Sequence, residues 1–188
     1  MVKFTSIFVA TVALLAASAS AQISTAPIEI TADHLLERRD VGPGAIAKSD
    51  LSPDEQNIIL DTHNAYRALH GSPPLTWNAE AADFGNNWIQ ACQFKHSDGN
   101  YGENLAYGYD DFKSAIDAWY NEVSEYNYNN PGFSSATGHF TQVVWKSTSS
   151  VGCAKKDCSG SIRTIYICNY DPPGNYQGQF EENVLPLQ

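Results

Sequence analysis

Positive charge is scarce in this 188-residue sequence: 11 lysines and arginines stand against 21 aspartates and glutamates, a formal net charge of -10 at pH 7. Such a surface repels phosphate backbones and anionic headgroups, which argues against nucleic acid as a partner and against charge-driven membrane docking. There is no Asn-x-Ser/Thr sequon and no apolar C-terminal tail, so neither N-glycosylation nor a lipid anchor is expected. Internal repeats and low-complexity tracts are missing as well. The cysteines are only four, Cys92, Cys153, Cys158 and Cys168, without the paired CxxC spacing of a zinc–thiolate site.

The sequence does carry the marks of export. A short basic start at Lys3, an apolar run over 7–17 and small residues Ala19, Ser20 and Ala21 predict a signal peptide at 1–21, too short for a stable membrane span. Residues 22–39 show no helical or strand period and close on Arg38-Arg39, which reads as a propeptide with a dibasic processing site. Removing 1–39 takes away Lys3, Arg38, Arg39 and Glu29, Asp33, Glu37, so the net charge does not change. A flexible lead-in follows at 40–51, and 52–188 is expected to fold as one domain. An even cysteine count in a secreted chain predicts two disulfides; the sequence leaves three pairings open.

Within that domain Ser52, Pro53 and Glu55 predict a capped first helix whose face holds Ile58, Ile59, Thr62, Tyr66 and Leu69, with His63, Asn64 and Arg67 tying down neighbouring loops. Asn78 caps a second helix with inner residues Ala82, Trp88, Ile89 and Cys92. Asp111 caps a third with Phe112, Ile116, Trp119, Tyr120 and Val123 inward. Residues 151–155 and 161–170 read as a hairpin turned at Ser159-Gly160. The organising stretch is 138–145, GHFTQVVW, where Phe140, Val143 and Val144 fit a short buried helix with His139 at its N-terminal end. Alone, His139 reads as a structural or a cavity-facing histidine. His96 and Glu103, on a glycine-rich loop, and Glu122, at the margin of the third helix, would complete a site of two histidines and two carboxylates. Loop 126–133 carries Tyr126, Tyr128, Pro131 and Phe133, rings that either fold onto the core or offer an apolar surface.

These motifs resemble the CAP superfamily of cysteine-rich secretory, antigen-five and pathogenesis-related class 1 proteins. GHFTQVVW and YICNYDPPGNYQGQ (166–179) are close to its two signatures, and HNAYR (63–67) and GENL (102–105) to two shorter ones. The stretch 131–148 is most similar to the fungal sterol-binding, pathogenesis-related-like members. The resemblance implies an α+β fold, an α-β-α sandwich with a small antiparallel sheet between helical layers. It maps the family tetrad onto His96, Glu103, Glu122 and His139, able to hold a divalent metal such as zinc, and pairs Cys92 with Cys153 and Cys158 with Cys168. It also implies a secreted, non-enzymatic carrier with no catalytic residues, which takes sterols through loop 126–133 and fatty acids in a second cleft. Such a carrier would be a monomer or weak dimer. Two alternatives are a metal-dependent hydrolase on the same tetrad, without a legible Ser or Cys nucleophile, and a secreted ligand of a host or cell-surface receptor.

Overall fold

Residues 48–188 are described by the structure, a computed structural model; the signal peptide, propeptide and most of the lead-in expected from the sequence lie outside them. Helix α1 (Pro53–Leu69) starts as its cap chemistry dictates. Glu55 N donates to Ser52 Oγ at 3.3 Å, and Ser52 N donates to Glu55 Oε2 at 3.0 Å. Its buried stripe, however, is Ile59, His63 and Arg67, while Ile58 and Leu69 of the expected apolar face stand 47% exposed. The helix is rotated because its inner neighbours are polar. Arg67 donates four hydrogen bonds of 2.8–3.0 Å to the carbonyls of Pro73, Val143, Trp145 and Thr148. Burial lowers its pKa to about 10, so it remains a cation at neutral pH. Asn64 holds Leu75 through both backbone groups. Arg67 and Asn64 thus anchor loops as expected, whereas His63 turns into the core.

A sheet of four strands, β1 (Thr76–Trp77), β2 (Gly102–Tyr107), β3 (Ser150–Asp157) and β4 (Thr164–Asp171), runs in the order β1-β3-β4-β2. Strands β2, β3 and β4 are antiparallel as expected, and the two-residue β1 adds a parallel edge. Helix α2 (Ala79–Ile89), capped by Asn78, packs on one face against β3 and β4. Gly152 permits this approach: a Cβ there would overlap the Asn78 carbonyl oxygen and the Ala82 amide. Helices α1, α3 (Phe112–Asn121) and α4 (Gly138–Val144) cover the other face, and a short α5 (Phe180–Asn183) precedes the C-terminal segment. Strand β4 feeds both cores by simple alternation. Tyr166, Cys168 and Tyr170 join Phe112, Trp119, Phe140 and Val143, while Ile165 and Ile167 join Ile89 and Leu105 on the α2 side.

The same alternation corrects the disulfides. Cys153 and Cys168 lie directly opposite each other on β3 and β4, Cα atoms 4.1 Å apart, and are bonded to one another. Cys92 bonds Cys158 across 5.8 Å. The implied pairs, Cys92–Cys153 and Cys158–Cys168, do not form. The Cys153 side chain belongs to the core on the α1/α3/α4 face, whereas Cys158 packs on the α2 side, where Cys92 follows the end of that helix. A bridge from Cys92 to Cys153 would have to cross the sheet.

Candidate functional site

The four tetrad positions arrive from four places: His96 from the coil before β2, Glu103 from β2, Glu122 from the turn after α3 and His139 from α4. Glu103 opens β2 with its side chain 6% exposed, so its carboxylate must be paired inside the protein. It accepts from His96 Nδ1 at 2.7 Å, from Ser97 N at 3.0 Å and from Ser97 Oγ at 2.6 Å. Burial pushes the Glu103 pKa up, but these three bonds outweigh it and hold the carboxyl below its usual value; the same pairing raises that of His96. Glu122 follows α3 and reaches the start of α4. Its Oε1 accepts from His139 Nδ1 at 2.6 Å, and its Oε2 accepts the amides of His139 at 3.0 Å and Phe140 at 3.1 Å.

The tetrad is therefore two histidine–carboxylate pairs. A carboxylate only accepts, so when the imidazole of either pair is neutral its Nδ1 carries the proton and Nε2 keeps its lone pair. This is how metal-ligating histidines are usually oriented, with the acid behind the ring. His96, Glu103 and His139 line one cavity of about 280 Å³ with Asn104, Phe133, Ser135, Gly138 and Asn175. The residues fit a divalent ion in this restricted sense: the two Nε2 atoms are donors, and the carboxylates orient them. Among the described residues no group of three or more His, Cys, Asp or Glu is arranged to hold a metal, so such an ion would rest on two protein ligands.

Several residues that hold this cleft escaped the sequence reading. Asn104 Nδ2 donates to the His139 carbonyl at 3.1 Å and to the Tyr170 hydroxyl at 3.2 Å. Asn175, in the left-handed region at φ 61°, donates to the Gly138 carbonyl at 2.9 Å and accepts from Thr141 Oγ1 at 2.6 Å. Asparagine is among the few side chains that tolerate that conformation. Their only sequence signal was membership of the 102–105 and 166–179 motifs.

Loop 126–133 splits between the two expected outcomes. Tyr126, 9% exposed, packs on Phe140 with ring centres 5.6 Å apart, and Tyr128 stands edge-on to it at 4.9 Å. Burial pushes the Tyr128 pKa up to about 12. These rings anchor the loop, and the bonds Asn129 N to Asn127 Oδ1 and Asn130 N to Asn127 O, both 3.0 Å, set its turn. Pro131 is exposed. Phe133 is the apolar ring presented outward, 58% exposed. It lies over Gly138, where a Cβ would come within 2.9 Å of Phe133 Cε2. Phe133 also borders a second cavity of about 380 Å³ beneath the loop.

An α-β-α sandwich with paired histidines and acids in a cleft defines a class, and residues 60–170 match the CAP cysteine-rich secretory protein family, to which the chain belongs. Protein PRY2 of Saccharomyces cerevisiae is 47% identical over 139 residues, covering 71% of this chain and 42% of its own length. Secreted protein RBT4 of Candida albicans is 48% identical over 147 residues, covering 69% of this chain and 40% of its own. The chain thus spans less than half of these two curated relatives. The crystal structure of NaASP2 with Zn2+ shares the fold, with a TM-score of 0.59 at 24% identity over 73% of this chain and 88% of that one. The family, expected from the ordered motifs, and its fungal branch, expected from the stretch 131–148, are therefore borne out.

Proposed function

We propose that this CAP-domain chain is a secreted, non-enzymatic carrier of small hydrophobic lipids, sterols first and fatty acids second. The observation that supports it is Phe133, an exposed ring on a loop whose other two rings are fixed in the core. A sterol is almost wholly apolar, and at about 25 cal/mol per Å² its burial on such a surface needs no charge complementarity. Preordering by Tyr126 and Tyr128 lowers the cost of organising the loop around a ligand. The likeness to Secreted protein RBT4 and two disulfides support the extracellular setting. His96 and His139 would hold a divalent ion such as zinc through Nε2, joining the loop before β2 to the start of α4. The hydrolase alternative gains nothing from Ser97, whose hydroxyl donates to Glu103 rather than to an imidazole.

Replacing Phe133 by Ser is expected to weaken sterol binding at least tenfold in an equilibrium assay. Because the ring is largely exposed, the melting temperature should move by no more than about 2 °C. Unchanged affinity in a folded variant would discard the loop as the binding surface. Tyr128, which packs against the core, is unsuited to this test, since a polar residue there would cost stability.

A further inference from the structure

His63, Tyr170 and Asn104 are buried side chains hydrogen-bonded in a row that runs from α1 through β4 and β2 to α4. His63 Nδ1 lies 2.8 Å from the Ile59 carbonyl, and its Nε2 lies 2.9 Å from the Tyr170 hydroxyl. Asn104 Nδ2 faces that hydroxyl at 3.2 Å and the His139 carbonyl at 3.1 Å. A carbonyl at each end fixes every proton in the row. Ile59 takes the Nδ1 proton, so Nε2 of the neutral ring must accept and the Tyr170 hydroxyl must donate to it. The Asn104 amide nitrogen then gives one proton to the phenol oxygen and the other to His139. Burial pushes the Tyr170 pKa up, so the phenol keeps its proton throughout.

A second proton on His63 breaks this agreement. Nε2 becomes a donor aimed at the phenol oxygen, and the phenol proton needs a new acceptor. Asn104 presents only N–H to it. Turning the Asn104 amide would offer Oδ1 to the phenol, but would set that oxygen against the His139 carbonyl, two acceptors with no proton between them. An unpaired buried hydroxyl proton costs more than one exchanged amide bond. A helical carbonyl also accepts from the amide four residues on, so the His139 carbonyl is the partner most easily given up.

The charged and titratable groups around His63 give the proton no other compensation. Arg67 on its own helix repels it, and β4 brings the Tyr170 phenol. From α3, Asp117 is bonded to Tyr66 and Tyr120 to His70, and on α4 the His139 ring is bonded to Glu122. Among the described residues no carboxylate pairs with His63. Burial first and Arg67 second lower its pKa to about 4, which sets the range in which the row is challenged.

We propose that this row makes α4 an acid-responsive element: protonation of His63 withdraws Asn104 from the His139 carbonyl and loosens the first turn of α4, which carries the His139 imidazole at the cleft. The cleft is then coupled to a proton taken up in the core, at a residue that does not touch it.

The test is an NMR titration of the isotope-labelled chain between about pH 7 and pH 3.5, reading the His63 ring, the Asn104 side-chain amide and the His139 carbonyl carbon. In wild type the Asn104 and His139 signals are expected to move with the midpoint of the His63 ring. That linked step should be lost in His63→Gln and in Tyr170→Phe, and if one variant does not fold the other decides. Signals that stay flat while His63 takes up its proton overturn the proposal. So does the same step in a folded variant, which would trace it to the cleft's own acids and imidazoles. Loss of the folded spectrum before the His63 ring titrates overturns it too, because the release is a property of the folded chain.

Discussion

His63 shows what the core does to a titratable side chain. Its Nδ1 donates to the Ile59 carbonyl at 2.8 Å, and Nε2 accepts from the Tyr170 hydroxyl at 2.9 Å. Desolvation first, and the Arg67 cation second, overcome the Ile59 bond and lower its pKa from 6.5 to about 4. The unfolded chain therefore takes up a proton near pH 6.5 that the folded chain refuses until about 4. The corresponding stability is complete above pH 6.5 and is lost as the pH falls through that interval, on the order of 3 kcal/mol in all. His70, lowered by burial, acts in the same sense. Thermal unfolding of wild type and His63→Gln between pH 7 and pH 4 checks this. The variant should be less stable at pH 7 but lose less on acidification, and parallel curves would contradict the assignment. The His96–Glu103 pair works in another window: Glu103 is lowered from 4.5 and His96 raised from 6.5, so the pair is fully charged between those values. It weakens as pH falls through the Glu103 pKa or rises through that of His96. With the His96 side chain 63% exposed, solvent screens that contribution to a small one.

At the scale of the element, α4 joins the site to the scaffold. Its first residue, Gly138, gives Phe133 its seat, and its second, His139, faces the cleft. Gly138→Ala adds a methyl group against the far end of an exposed side chain, which can swing away, and alanine suits a helix better than glycine. The melting temperature is expected to hold or rise slightly, while sterol affinity changes severalfold because Phe133 is moved. Unaltered affinity would mean that the seat of Phe133 is irrelevant to binding. The caps at Ser52, Asn78 and Asp111 were legible in the sequence because cap chemistry spans only three residues. The cap of α4 was not, since it comes from Glu122, and only the folded chain brings it to Phe140. The rotation of α1 was hidden for a related reason: its inward positions are chosen by carbonyls and a tyrosine that distant segments deliver. Disulfide partners depend on strand register, which four cysteine positions do not encode.

For the whole molecule, the layered fold was legible through its ordered motifs more than through periodicity. Of the four tetrad residues, Glu103 and His139 stand inside the 102–105 and 138–145 motifs, whereas His96 and Glu122 lie outside every motif and were named only through the family tetrad that the resemblance implies. That they would form two separate histidine–carboxylate pairs was not readable, nor were Asn104, Asn175 and Tyr170 as the residues holding His139 and its helix, because asparagine and tyrosine are ordinary residues until the backbone is drawn. Among the described residues no helix is long and apolar enough to cross a membrane, and the net charge of -10 gives no electrostatic attraction to anionic lipid. On the proposed carrier reading, a lipid would be taken up on apolar contacts of the loop, independently of charge. The measurement that bears on this most directly is equilibrium binding of radiolabelled sterol to the purified chain, with and without a metal chelator. The account predicts saturable binding of one sterol per chain, competed by unlabelled sterol and retained in chelator. No saturable binding at micromolar protein, or binding abolished by the chelator, would contradict it.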